Sequence, residues 1–580
     1  MHHASGYFRP TVRLLALCAG GLVPAVPLLG QGVAGGYHSH AAMTAALDSV
    51  RRANPGVVTV TTIGTSYGKR PLAAVRLAAG PDADSRPALL IIANAYGPDV
   101  ISSEAALAVV KNLAGGYGRD SGVKRLLDAR TVYVIPRANP DAAEAMFRSP
   151  LGERLRNDEP RDDDRDWSVD EDGPEDINGD GLITMMRVED PAGEWVADSA
   201  EPGLMRKADA GKGEAARYRL YTEGRDDDGD ERWNEDPAGG TGVDRNFSYG
   251  YEFFAAGTGD YPFAAPEARA VAQFMVDHPN IAAVYVLGPQ DNLLKPWEHK
   301  RESGGGAASG SSEGRGRSRQ PLTSILEEDA PFYAEMARRY QKVTGLEKGP
   351  ASAALEGDPL SWAYYHMGRW AWGTRTWWIP EVPADSGARK GGGKTDTKDP
   401  LQEERNALRW LREHRPDGFV AWTRVNHPDF PGKVVEVGGF RPYVLMNPPI
   451  AELDSIAARQ TRFTRELIDA LPSLALRDVR VERLGDRVFR VTAQVANNGY
   501  LPSVAQIGER VRWPLRVKVQ LATNGQQISG GRAIQILDPL PGSGQSTELS
   551  WLLIGPSGSR ITLTASSPVA GAASQTITLR

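Results

Sequence analysis

Carboxylates are the residues of this 580-residue chain whose spacing first suggests chemistry. Asp162, Asp164, Asp166, Asp170 and Asp172 form one run, and Asp226, Asp228, Asp230, Asn234 and Asp236 repeat its spacing. Between them stand Asp176, Asn178 and Asp180, followed by Gly181. Alternate carboxylates on a tight loop bring their oxygens to one point, which suits a hard cation such as Ca²⁺. Carboxylates this dense repel one another without a cation, so calcium is the expected ligand of the three runs. None is a complete EF-hand, because the twelfth position counted from Asp176 is Arg187, where that loop needs a bidentate Glu.

Histidine offers less. The pattern His299-Lys300-Arg301-Glu302, with His427 further on, has zinc-ligand spacing. It borders "ESGGGAASGSSEGRGRSRQ", where nothing would hold ligand geometry, so the spacing reads as fortuitous. Cys18 is the only cysteine, which excludes disulfides and a thiolate zinc site in a chain processed beyond it.

The elements that must position such groups are legible from periodicity. In "PALLIIANAYGPDVISSEAAL" an apolar run meets a Gly-Pro-Asp turn and then a Ser-Ser-Glu helix start. A strand that delivers a loop to a sheet edge in this way often carries a site. Helical and strand-like segments alternate from Tyr37 onward, predicting an α/β domain. After "LIDALPSLAL" short alternating strands predict an immunoglobulin-like β-sandwich over 471–580. The α/β domain is expected over 35–470, with an acidic insert at 158–240 and flexible loops at 302–320 and 385–399. Tryptophans in "LSWAYYHMGRW" and "RWAWGTRTWWIPEVP" are expected to pack the sheet, and Glu436 in "KVVEVGGF" to be structural.

Residues 1–34 read as a secretory signal: Arg9 and Arg13, an apolar run broken by Pro24 and Pro27, then Gly32-Val33-Ala34. The run is too short for a membrane span. A secreted or periplasmic protein is therefore expected. The net charge of -6 provides no basic field for nucleic acid.

Four segments, in order, resemble the zinc carboxypeptidase family, the carboxypeptidase A-like metallopeptidases. They are "YHSHAAMTAALDSVRRANPGVVTVTTIGTSYGKRPLAAVRLA", "VIPRANPDAAEAMF", "GVDRNFSYGYEFF" with the later "APEARAVAQFM", and "GTRTWWIPEVP". The resemblance implies a mixed eight-stranded sheet flanked by helices, and ligands that are peptide or protein C-termini. It implies zinc held by His-x-x-Glu and a distant His, with a Glu activating the metal-bound water and Arg residues clamping the terminal carboxylate. Residue by residue, Glu381 matches the general base and Arg245 with Asn246 the carboxylate clamp. Arg156 matches the carbonyl-polarising Arg, with Arg154 as the second choice.

At the metal positions the resemblance breaks. Tyr96 and Asp99 stand at the His-x-x-Glu positions and Gly288 at the third histidine. A neutral phenol is a poor zinc ligand at pH 7, Asp is one methylene shorter than Glu, and Gly has no side chain. Two functions follow: a degenerate member that binds peptide C-termini without zinc-dependent hydrolysis, or an active metallocarboxypeptidase with an atypical metal site. The substituted ligands favour the first.

Overall fold

The computed structural model describes residues 36–163, 165–300, 322–353, 356–382, 401–511 and 515–580. The expected signal segment, the loops 302–320 and 385–399, and Asp164 lie outside the described residues. Six strands form a mixed sheet in the spatial order Val58–Thr65, Pro71–Leu77, Thr131–Ile135, Ala88–Ala93, Ile281–Leu287 and Trp370–Thr374. The first three pair antiparallel and the last four parallel. Every residue of those four parallel strands is buried. Their sequences (TVYVI, ALLIIA, IAAVYVL and WAWGT) lack apolar–polar alternation, as a sheet covered on both faces requires. Helix Val100–Gly116 packs against both the sheet and helix Leu453–Ala470. Helix Pro266–Asp277 lies on the Val58–Thr65 strand, where Gly64 makes room for Ala270.

The expected eight strands are corrected to six among the described residues. The acidic insert contributes strands of its own to a second sheet. Its strand Met185–Glu189 pairs antiparallel with Val435–Phe440 and so draws the hairpin of Phe419–Val425 and Val435–Phe440 into a separate sheet. That sheet has six strands, all antiparallel, with its own core of Met186, Val188, Phe430, Val435 and Val437. Glu436 is structural there: Arg187 donates to it at 2.8 Å while lying between the rings of Tyr218 and Trp422.

The C-terminal region forms two four-stranded antiparallel sheets. Phe489, Val491, Trp551 and Leu553 from one and Val519, Leu521, Leu563 and Ile577 from the other share one core, an arrangement compatible with a β-sandwich. The connection after strand Val488–Asn497 leaves this unit and enters the α/β core through Leu501, Val504, Ala505 and Ile507. Among the described residues, no helix is long and apolar enough to cross a membrane.

Candidate functional site

The site is built at the C-terminal ends of the parallel strands. Ala88–Ala93 ends at Asn94, whose φ of 55° is left-handed, a conformation asparagine tolerates better than most residues. The Asn94 side chain donates to the carbonyls of Tyr96, Gly97 and Asp99, winding residues 95–99 around its amide. From the other side, Asn447 donates to the Pro98 carbonyl at 2.9 Å and accepts from the Ile101 N–H. Gly97 presses against the segment carrying Arg154: a Cβ at 97 would stand 2.4 Å from Ala142 Cβ and 2.8 Å from the Arg154 carbonyl. The loop is thus rigid, and its two functional-looking side chains diverge in environment. Asp99 is buried at the start of helix Val100–Gly116, and desolvation pushes its carboxyl up to about 7. Tyr96 is half-buried, and desolvation, reinforced by the nearby carboxylates Glu153, Asp244 and Asp99, raises its phenol above the ordinary tyrosine value.

Beside this loop lies a cavity of about 350 Å³. It is lined by Tyr96, Pro289 and Gln290 after strand Ile281–Leu287, Arg375 after strand Trp370–Thr374, and Asp244, Arg245, Ala353, Glu356 and Met446. Ligands of α/β sheets enter at such strand ends. Two arginines, Arg245 and Arg375, therefore line one cavity. Arg375 is held by the carbonyls of Pro289 and Ala351, and Arg245 by Glu252 at 2.7 Å and the Ala256 carbonyl at 3.3 Å. Burial pushes Asp244 up to about 7, and Arg245 pulls the other way. Behind it, Asp358 caps helix Pro359–Tyr365 and is pushed up to about 6, again by desolvation.

The residues singled out from sequence fall in different places. Tyr96 and Arg245 line the cavity together. Gly288 directly precedes the lining residues Pro289 and Gln290; a Cβ there would meet only ordinary contacts at 3.7 Å and 3.8 Å, so there is room for a side chain but none is supplied. Asn246, next to Arg245 in the chain, is buried with its amide committed to backbone: it donates to Thr258 and Tyr261 and accepts from Ala265. Arg156 is ion-paired with Asp163 and bonded to the Gly239 carbonyl, and Arg154 is paired with Asp158 at 2.8 Å. Neither lines the cavity, and neither does Glu381, which is exposed. The His299 ring donates to the Ile325 carbonyl, and His427 is buried and donates to the Gly224 carbonyl. Arg375 and Glu356 escaped the sequence reading. The signal for Arg375 was a charged residue just after the tryptophan-rich run Trp370-Ala371-Trp372.

In the insert the carboxylates divide into two groups. Among the described residues, three sets offer three ligand atoms within 4.8 Å of one another: Asp166, Glu171 and Asp228; Asp172, Asp228 and Glu235; and Asp226, Asp228 and Asp230. Asp228 belongs to all three, and Glu171 and Glu235 were not foreseen because they lie off the alternating spacing. Desolvation first, and then carboxylate neighbours, push Glu171 and Glu235 up to about 7. The remaining foreseen residues hold the loops' shape. Asp162 accepts from Arg165 and Trp167, Asp170 from Arg161, and Asp236 from Asp163 and Asp170. Asp176 accepts from Gly179, Asp180 and Gly181, Asn178 from Asp180, and Asp180 from Leu182, while Asn234 donates to Thr222.

Comparison with known proteins places a family on part of this framework. Residues 43–180 match the zinc carboxypeptidase family, and residues 473–578 match a domain of unknown function, DUF8731. The first match contains Tyr96, Asp99 and Arg156; Arg245, Gly288 and Glu381 lie beyond it. A zinc carboxypeptidase of Saccharothrix mutabilis subsp. capreolus is 29% identical over 110 residues, which cover 19% of this chain and 25% of that protein. Carboxypeptidase D of Mus musculus is 32% identical over 133 residues, covering 20% of this chain and 10% of that protein. The chain thus spans a quarter or less of the length of these curated relatives. Among solved structures, thrombin-activatable fibrinolysis inhibitor aligns over 74% of this chain and 76% of its own at 12% identity, with a TM-score of 0.40.

Proposed function

Starting from a chain whose residues 43–180 match the zinc carboxypeptidase family, we propose that the protein binds peptide C-termini without zinc-dependent hydrolysis. The observation that carries this reading is the cavity in which Arg245 and Arg375 face one space beside Tyr96 and Gly288. Two guanidiniums suit a carboxylate, which each can engage by charge-assisted hydrogen bonds. Zinc, which the family implies, does not fit the donors at this edge. Burial holds the Tyr96 phenol neutral, Asp99 is a buried carboxyl favoured toward its protonated form, and position 288 has no donor atom. No hydrolytic step is therefore assigned to the site. A secreted or periplasmic location belongs to the same reading, on the Arg-flanked apolar segment before residue 35.

Fluorescence anisotropy tests the binding. A peptide with a free C-terminal carboxylate binds about tenfold or more tightly than its C-terminal amide, since charge-assisted hydrogen bonds contribute roughly 1.5–3 kcal/mol. Arg375→Gln removes most of that difference. Equal affinity for acid and amide would overturn the proposal. Elemental analysis and a peptide-shortening assay address hydrolysis: one zinc per chain with chelator-sensitive cleavage selects the active metallocarboxypeptidase instead.

Calcium is the cofactor proposed for the insert, supported by the three overlapping carboxylate sets and by Asp172, which is fully buried. A bound cation stabilises the folded state by mass action, about 2.7 kcal/mol when calcium is at a hundred times its Kd. Chelation is expected to lower the melting temperature by several degrees, with calcium restoring it and magnesium doing so less well. An unchanged melting temperature with and without chelator sinks this part.

A further inference from the structure

Residues 249–261 form a loop that closes on itself next to the cavity. The Tyr251 hydroxyl donates to the carbonyls of Thr258 and Gly259, and the Thr258 hydroxyl donates to those of Glu252 and Ala255. Glu252 and Ala256 both hold Arg245, the cation that lines the cavity. Between these two contacts stand Phe253, 61% exposed, and Phe254, 93% exposed. Phe254 has a φ of 66°, a conformation that bulky residues avoid, and Phe253 lies edge-on against Tyr251 with centroids 4.9 Å apart. Two phenyl rings are thus held out to water by an ordered loop, at a cost in both solvation and backbone strain, within two residues of groups bonded to the carboxylate clamp. Large exposed aromatics are contact residues when a partner's position is fixed nearby, and here Arg245 fixes it.

We propose that Phe253 and Phe254 are specificity residues that receive an apolar side chain just upstream of a ligand's C-terminus. Glu252 is then the internal carboxylate on Arg245 that the ligand's terminal carboxylate replaces. The inference rests on the cavity being a C-terminal carboxylate site. The occupant is a peptide because the ring pair adjoins the carboxylate clamp: a terminal carboxylate on Arg245 directs the preceding residues outward across this loop.

The test uses the full chain and four labelled hexapeptides, with leucine or serine as the penultimate residue and each as free acid or amide. On the unmodified protein the leucine acid is expected to bind at least fivefold more tightly than the serine acid. In the F253S/F254S variant that ratio falls to about one while the preference for acid over amide persists. Phe254→Asn, which suits the left-handed backbone, serves as a second variant with an intermediate ratio. A leucine preference that is absent, or that survives F253S/F254S in a variant with an unchanged melting curve, overturns the role of the rings alone. Loss of acid-over-amide discrimination in the unmodified protein overturns the carboxylate site itself, and this inference with it.

Discussion

Gly97→Ala is expected to destabilise the α/β unit by about 3 kcal/mol and to abolish peptide binding, although it adds a single methyl group. The added carbon would lie 2.4 Å from Ala142 Cβ, 2.8 Å from the Arg154 carbonyl oxygen and 3.0 Å from that of Leu155. Two of those three neighbours are backbone, so relief requires moving either the 94–99 loop or the 154–155 segment. Asn94 ties down the first through three carbonyls, and the second is tied by the Arg154 N–H to the Tyr443 hydroxyl and by Asn139 to the Leu155 carbonyl. Neither can yield without losing hydrogen bonds that are at least partly buried. Gly288→Ala is the control, because its Cβ meets nothing closer than 3.7 Å. It should leave stability within about 0.5 kcal/mol, as substitutions that create no clash do. Calorimetry and anisotropy on the two variants decide the matter, and a Gly97→Ala variant that melts with the parent refutes the packing argument.

Asp329→Ala is expected to cost more, about 4 kcal/mol, and to release the C-terminal unit from the α/β domain. Asp329 is 2% exposed and accepts three hydrogen bonds: from the N–H groups of Gln506 and Ile507, at 2.8 Å and 3.2 Å, and from the Tyr364 hydroxyl at 2.8 Å. The first two are donors at the start of helix Gln506–Arg510, which needs acceptors because its leading N–H groups have no partner within the helix. Alanine strands all three donors at the junction, of which the Ile507 N–H and the Tyr364 hydroxyl bond in buried surroundings. Asparagine keeps one acceptor oxygen but turns an amide N–H₂ toward donors, so it should recover only part of the loss. Denaturant titration gives the magnitude, and limited proteolysis gives the location, with new cleavage expected in 499–511. A variant within 1 kcal/mol of the parent, resistant to protease in that segment, would show that apolar contacts of Leu501 and Ile507 alone hold the junction.

Local signals in the chain were sufficient for much of the framework. The parallel strands announce themselves as unbroken apolar runs, because both of their faces are covered, and the Asn94–Asp99 loop follows from a strand meeting Gly-Pro-Asp before a helix start. The residue types at Tyr96, Asp99 and Gly288 are legible without a fold, since a side chain's donor chemistry is a property of the residue itself. What failed was whatever depended on distant pairing. The insert's carboxylate spacing pointed to cation loops and gave no sign of a sheet, because its strands are short and its charges dominate the composition. Only the pairing of Met185–Glu189 with Val435–Phe440, whose facing residues Arg187 and Glu436 are 249 positions apart, joins it to the later hairpin in one sheet.

The cavity divides in the same way. Tyr96 and Gly288 each stand just beyond a parallel strand, but the partners that give the site its charge were decided by the fold. Arg375 reaches the cavity because Trp370–Thr374 lies parallel to Ile281–Leu287, while Asp163 claims Arg156 for the insert and backbone carbonyls consume the Asn246 amide. The amino-acid sequence determined which side chains are available and the periodicity of the elements that carry them, both of which are local. The tertiary structure decided which charges meet, because an arginine's partner is set by the approach of segments far apart in the chain, where Coulomb energy and desolvation depend on a few ångströms that no local pattern encodes.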